Sequence, residues 1–422
     1  MLDIKYVVAN QDAVAKNCEI RNVKANVPAV VQLYTNRNAT IVELESNRAA
    51  ANANAKSMKE KVDPSVRQQR IEDGKRLKVE VSRLEDQLQT LESQLDGQLR
   101  ALPNLTHPDV PVGNTDDDHK VLRHVGEPKQ FDFVPQDHVA LAEKLGLVDF
   151  EAGAKVAGQK FYFLKNELVY LDMALQRYAL DKAVARGYRP VTTPDLAKPS
   201  ILEGIGFNPR GAETQVYSIA DQDLCLVGTA EITIGGMLAG ETLDDSELPI
   251  RIAGISHCFR TEAGSAGRES RGLYRVHQFT KVEMFVFCKG DNQESEALHQ
   301  ELLQIEEDIF SGLGIPYRVL DIASGDLGAP AYRKFDIEAW MPGRGAYGEV
   351  TSTSNCTDYQ SRRLGIRHRS SGEKSQFVHT LNGTAVATSR ALIAVLENYQ
   401  QADGSVKVPE VLRPYLPFDK IG

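Results

Sequence analysis

Along the first hundred positions, apolar residues return in steps of three and four. Val30, Tyr34, Arg37, Ile41, Leu44, Arg48, Ala51, Ala55, Met58 and Val62 trace one such stripe, interrupted twice by arginine. Leu77, Val81, Leu84, Leu88, Leu91, Leu95 and Leu99 trace a stricter one. This is the heptad spacing of helices that pack along a seam. Between the stripes, Asp63 is suited to cap a helix and Pro64 to occupy its first position. The pattern predicts two helices of roughly thirty residues or more that turn back on each other, each on the order of 50 Å long. The hairpin covers about 28–101, with its tip near 62–65.

After Pro103 the rhythm changes. THPDVPVGNTDDDH reads as a connector, and the runs FDFV, FYFL, LPIRIAGI, MFVFC and FDIEAW read as strands. Together they predict an α+β body with an antiparallel sheet and flanking helices over 106–422, distinct from a domain at 1–105 that carries the coiled-coil hairpin. No βαβαβ cadence and no GxxxxGK[ST] are present. GRGAYG at 343–348 fits GxGxxG, but it runs into the strand-like EVTST and opens no helix, so it is set aside as a dinucleotide site.

Composition narrows the class. The 422 residues are 42% hydrophobic and contain no apolar run near the roughly 20 residues a membrane span needs. The start, MLDIKYVVANQDAVAKN, lacks a basic stretch followed by an apolar core and carries Asp3 and Asp12, so the expected location is cytoplasmic, without membrane association. Five cysteines with no CxxC pair read as reduced thiols, and no structural zinc is expected. The net charge is −9, yet the segment from Arg48 to Arg83 holds ten basic residues against five acidic ones. A basic tip on an acidic protein suits a phosphate backbone read by shape, though a dimerising or spacer coiled coil gives the same pattern.

The other basic concentration lies in CFRTEAGSAGRESRGLYRVHQF, Cys258 to Phe279, where Arg260, Arg268, Arg271 and Arg275 stand against Glu262 and Glu269. Flanking strands with a loop at 263–273 are predicted. Alternation places Arg260 and Glu262 on one face of the first strand, and Phe279, Lys281 and Glu283 on one face of the second. Singly, each residue is also a plain salt bridge or core group. Jointly, guanidinium forks suit phosphate or carboxylate oxygens, carboxylates suit an ammonium or exocyclic amine, and an aromatic ring suits a base.

This wording resembles motif 2 of the class II aminoacyl-tRNA synthetases, and within them the seryl-tRNA synthetases. VGTAEI at 227–232, GEVTSTSNCTDYQSRR at 348–363, LNGTAVATSRALIAVLENYQ at 381–400 (motif 3), VPEVLRPYL at 408–416 and RGYRPVTTPDL at 186–196 (motif 1, with Pro194) agree, and the resemblance includes the hairpin. It implies activation of L-serine by ATP to seryl-adenylate, then transfer to the 3′ end of tRNA(Ser), with service to tRNA(Sec) left open. It implies Arg260 and Arg390 as catalytic arginines. ATP is then bound by Arg260, Thr261, Glu262, Arg275, Val276, Phe279, Glu349, Val350, Thr351, Ser352 and Arg390. Serine is bound by Thr229, Glu231, Arg260, Glu283, Asn382 and Thr384, and Mg²⁺ by Glu349 and Ser352. Strict alternation would put Glu349 and Ser352 on opposite faces, so either the strand bends or only one ligates directly. Thr353 and Thr384 stand where many relatives have cysteine and serine. The family further implies a homodimer whose arm holds tRNA, with Arg268, Arg271 and Arg275 near the ATP phosphates or the tRNA acceptor end. Two readings compete: a synthetase-like ligase charging a carrier protein, and a noncatalytic RNA-binding paralogue.

Overall fold

The computed structural model describes residues 1–207, 215–262 and 272–422. It divides into two compact units, Met1–Leu105 and Thr106–Gly422.

The first unit begins with two short helices, α1 (Ile4–Ala9) and α2 (Gln11–Ile20), followed by α3 (Val27–Ser57) and α4 (Pro64–Ala101). Asp63 caps α4 by accepting from the Ser65 N–H, and Pro64 occupies the first turn, where a missing N–H costs nothing. Val27, Val30, Leu95, Leu99 and Leu102 form one core with Leu2, Val7, Val14 and Cys18.

Farther out, the seam differs from the predicted stripe. Thr40 is buried and Asn47 and Asn54 are half-buried, while Arg48 and Ala55 are exposed and Ile41 only half-buried. The second seam position of each heptad is therefore one residue earlier than hydropathy indicates. Polar side chains are tolerated there because each has a partner: Asn54 Nδ2 donates to the Arg70 carbonyl of the other helix at 2.8 Å, Thr40 Oγ1 lies 3.5 Å from Gln87 Nε2 of that helix, and Asn47 Nδ2 donates to the Glu43 carbonyl of its own helix at 2.9 Å. Gly74 makes room, since a Cβ there would lie 3.0 Å from Asn54 Nδ2. The arginines that interrupt the stripe reach across instead, Arg37 to Glu92 at 2.8 Å and Arg48 to Glu85 at 2.7 Å. Exposed pairs of this kind contribute about 0.2–1 kcal/mol each, against about 1.5–3 kcal/mol for burying a leucine such as Leu84. The leucines hold the hairpin, and the ion pairs select its register.

The second unit is built on an eight-stranded sheet: β1 (Lys120–Val125), β2 (Arg189–Thr192), β3 (Ile250–Phe259), β4 (Gln278–Cys288), β5 (Tyr317–Asp321), β6 (Arg333–Met341), β7 (Ala346–Asn355) and β8 (His379–Ala387). Its spatial order is β1-β5-β6-β7-β8-β4-β3-β2, antiparallel throughout except for the β2–β3 pair at one edge. FDFV forms no strand. Asp132 and the following Pro135 suit a turn, and Phe131 and Phe133 instead pack edge to face at 5.1 Å. In FYFL only Phe163–Leu164 pairs, with Val148–Asp149. GRGAYG is the turn of the β6–β7 hairpin, with Gly345 at φ +62°.

The flanking helices used below are α5 (His138–Leu145), α6 (Glu167–Ala185), α7 (Ala230–Gly236), α8 (Asn292–Gly312) and α9 (Thr388–Tyr399). Alternation along β4 sends Val282, Met284, Val286 and Cys288 into the main core with α6, α8 and α9, and Phe285 and Phe287 into a second core with α7. The second face is apolar only at one end of the strand. Toward the other end it presents Glu283, Lys281 and Phe279.

Candidate active site

That polar end of the sheet face opens into a cleft with about 480 Å³ of empty space, counted out to its mouth. Arg260, Glu262, Arg275, Val276, Phe279, Lys281, Glu349, Ser352, Thr384 and Arg390 are among the residues that line it. Val350 and Thr351 also border it. The Thr351 hydroxyl donates to the Thr384 carbonyl, so this side chain ties β7 to β8. Thr261 borders the cleft only through its neighbours, and its N–H donates to the Gln215 carbonyl at 3.1 Å. Arg268 and Arg271, and residues 263–271 of the loop, lie outside the described residues.

The first strand ends before the residues that alternation would carry along it. β3 stops at Phe259, and Glu262 enters the cleft through a left-handed backbone, φ +51°, a conformation that costs a non-glycine residue about 1 kcal/mol or more. Arg275 Nη1 lies 3.6 Å from Glu262 Oε2. Arg260 donates through Nε to the Gly228 carbonyl at 3.3 Å, and its guanidinium lies 5.3 Å from the centre of the Phe279 ring.

Glu349 and Ser352 do share the cleft, and the strand bends to allow it. In the β6–β7 ladder Ile337 faces Thr351 and Glu338 faces Glu349, so Val350 is an extra, unpaired residue. This bulge adds a half-period between Glu349 and Ser352 and returns both side chains to one face. Arg390, the third residue of α9, is no surface arginine. Its Nη1 contacts the Glu349 carbonyl and Oε1 at 3.1 Å each, and its guanidinium lies 4.7 Å from the Tyr274 ring centre. Burial pushes the Glu349 carboxyl up, but Arg390 and Lys334 outweigh burial and hold it below the usual carboxylate range.

Deeper in the site, β8 and β4 set Thr384 opposite Glu283 and Asn382 opposite Phe285. Glu283 accepts from Thr384 Oγ1 at 3.2 Å and Asn382 Nδ2 at 3.4 Å. Thr229 caps α7 by accepting from the Glu231 N–H at 3.2 Å, and both residues are buried. The Glu231 carboxylate accepts from the neutral amide of Gln360 at 2.8 Å. Burial, followed by repulsion from Glu283, pushes Glu231 up to about 7 against the pull of Lys281, Gln360 and Arg260. Thr353 donates to the Asn382 carbonyl at 2.9 Å, a contact within the sheet.

Three residues here had no assigned role in the sequence reading. Lys281 is 6% exposed, and its Nζ lies 2.5 Å from Glu283 Oε2 and 3.3 Å from Thr384 Oγ1. Alternation had placed it on this face, and nothing in the chain order showed that it pairs there. Tyr274 bears on Arg390 and donates to the Glu349 carbonyl at 3.3 Å. Asp336 stands opposite Ser352 in the ladder, and its buried Oδ1 has no hydrogen-bond partner among the described residues. Strand pairing brings Asp336 to the site, and the bend that precedes β4 brings Tyr274.

Known proteins resemble the whole chain. Residues 1–106 match the seryl-tRNA synthetase N-terminal domain, and 215–399 the tRNA synthetase class II core domain (G, H, P, S and T). A serine–tRNA ligase of Treponema denticola is 54% identical, with all of both chains covered. One of Rubrobacter xylanophilus is also 54% identical, over all of this chain and 99% of the relative. Among solved structures, seryl-tRNA synthetase of Pyrococcus horikoshii complexed with ATP superposes with a TM-score of 0.93 at 39% identity, covering 100% of this chain and 99% of that one.

Proposed function

The chain belongs to the seryl-tRNA synthetases, class II enzymes that join serine to tRNA with ATP, and we propose that it does so at the cleft just described. One observation carries the assignment of roles: the charges on this sheet face match a zwitterion beside a nucleotide. Lys281 pairs with Glu283, whereas the Glu231 carboxyl, hydrogen-bonded among the described residues by the Gln360 amide, supplies the anion for one ammonium once it is deprotonated. Arg260 supplies the opposite charge nearby for a carboxylate.

Serine accordingly sits with its ammonium at Glu231 and Glu283 and its hydroxyl among Thr384, Asn382 and the Thr229 turn. A pocket that hydrogen-bonds this hydroxyl rejects alanine, which would leave those polar groups unpaired, and its size excludes threonine. Arg260 spans the serine carboxylate and the α-phosphate, Glu262 receives the adenine amine, Phe279 stacks on the ring, and Arg390 holds the γ-phosphate, with Arg275 and Val276 completing the nucleotide side. The carboxylate oxygen attacks the α-phosphorus, pyrophosphate leaves, and the ribose hydroxyl of the terminal tRNA adenosine then attacks the acyl carbon and releases AMP. Both reactants of the first step are anionic. Positioning and charge neutralisation by fixed arginines therefore lower this barrier, and no general base is required.

Glu349 and Ser352 offer hard oxygen donors on one face, and Asp336, paired with Ser352 in the ladder, adds a buried Oδ1 with no partner among the described residues, a donor set that fits Mg²⁺. Bound there, Mg²⁺ supplies charge neutralisation on the phosphates. The arm, with its basic distal half, receives tRNA. Exposed Val169, Tyr170 and Met173 on α6 give an apolar face consistent with a homodimer. No helix among the described residues is long and apolar enough to cross a membrane, and the proposed location is the cytoplasm.

Amino-acid-dependent ATP–pyrophosphate exchange tests this reading. Serine is expected to support exchange, with alanine and threonine lower by on the order of 100-fold or more. Exchange with alanine or threonine, and none with serine, overturns the substrate assignment.

A further inference from the structure

A buried histidine remote in sequence from every motif touches both sides of the ATP end of the cleft. His138 is the first residue of α5 and 7% exposed. Its ring Nδ1 and its backbone N–H lie 3.1 and 3.0 Å from Glu397 Oε1. Its Nε2 accepts the Leu273 N–H at 3.1 Å. An acceptor at Nε2 requires the proton on Nδ1, so the ring is the neutral tautomer that donates to Glu397 and accepts from Leu273.

Both ends of this bridge lead to ATP residues. Glu397 is fully buried on α9, seven positions and about two turns after Arg390, and its Oε2 also accepts the Gly343 N–H at 2.9 Å. Leu273 directly precedes Tyr274, Arg275 and Val276, all of which line the cleft. The Tyr274 ring lies between two guanidinium groups, Arg390 at 4.7 Å and Arg344 at 4.8 Å. Gly272 has φ +93°, and a Cβ there would fall 2.2 Å from His138 Nε2, so glycine lets the backbone close on the ring.

We propose that His138 is a positioning residue for ATP: it fixes the backbone entering Tyr274–Val276 relative to the helix that carries Arg390. It touches no substrate. Through Leu273 it sets where Tyr274 supports Arg390 and where Arg275 and Val276 meet the nucleotide. This inference rests on the placement of ATP at Arg275, Val276 and Arg390.

Two substitutions divide the bridge. His138→Asn keeps an amide donor near Nδ1 and removes the acceptor for Leu273, whereas His138→Gln places an acceptor near Nε2. In both, the backbone N–H of residue 138 and that of Gly343 still serve Glu397, so the carboxylate is not stranded. In serine-dependent ATP–pyrophosphate exchange, His138→Asn is expected to raise KM for ATP on the order of tenfold while KM for serine moves less than about twofold. His138→Gln is expected to return KM for ATP to within about threefold of wild type. If the asparagine variant does not accumulate, Gly272→Ala, which displaces the ring, takes its place with the same expectation. Equal rises in KM for ATP in both histidine variants, or losses confined to melting temperature and kcat, overturn the proposal. Arg390→Ala run alongside separates the two layers. An unchanged KM for ATP in Arg390→Ala refutes the ATP placement itself. A large rise there with none in His138→Asn refutes only the bridge.

Discussion

Asn54 in the arm and Glu231 in the body are both polar side chains set among packed neighbours, and they are satisfied in different ways. Half-buried Asn54 gives its amide to a backbone carbonyl of the facing helix, a match made within the hairpin itself. Glu231 meets one neutral amide beside a second carboxylate, so burial leaves it poorly compensated. A buried polar group matched from within contributes to register and shape, and one left partly unmatched stores affinity for a charged ligand. On this contrast the arm should act through shape and surface charge, and the body through chemistry.

The separation breaks most visibly when the arm is removed. Deleting residues 35–90 is expected to abolish tRNA charging while serine-dependent ATP–pyrophosphate exchange stays within about threefold of wild type. Equal loss of both activities, measured on the same preparation, would end the division of labour. Within the body, Arg260→Lys keeps the charge and loses the fork. It is expected to slow exchange by roughly 30- to 1,000-fold, about 2–4 kcal/mol of transition-state stabilisation. A loss below about tenfold makes Arg260 peripheral.

The subtlest expectation concerns Glu231, whose value of about 7 stands above its ordinary 4.5. Folding therefore favours the protonated form. Its contribution to stability is complete below about 4.5 and is lost as pH climbs through about 7. With serine placed as proposed, its capture should have the opposite dependence, because only the Glu231 anion would hold the ammonium. Accordingly kcat/KM for serine should rise by up to about tenfold between about pH 6 and pH 8, and Glu231→Gln should be slower and flat across that range. A variant that keeps the wild-type profile would assign the titration to another group.

How much could be read in advance follows the same division. The hairpin, its Asp63–Pro64 start and the leucine seam of α4 were legible because each depends on neighbours within about four residues along the chain. The seam of α3 was misplaced by one residue at its second position, since hydropathy prefers Ile41 and Ala55 to Thr40 and Asn54 and takes no account of the bond Asn54 makes across the hairpin. In the body the motifs picked out residues that the fold gathers at one cleft, and alternation assigned Phe279, Lys281 and Glu283 to one face. It failed at Glu262, where the strand had already ended and the backbone turns left-handed.

What the chain order determined by itself is therefore the periodic architecture and the residue types that gather at the cleft: a two-helix arm, an antiparallel body, and arginines set beside carboxylates. The tertiary structure alone decided which of these groups meet. Val350 bulges because β7 pairs with β6 out of step, and that brings Glu349 and Ser352 to one face. Lys281 pairs with Glu283 while Glu231 accepts from the Gln360 amide, and His138 reaches Leu273 across 135 residues of sequence. Periodicity is a property of one segment, whereas strand register and side-chain pairing depend on segments far apart in the chain, whose relative placement is set only when the sheet and its helices pack together.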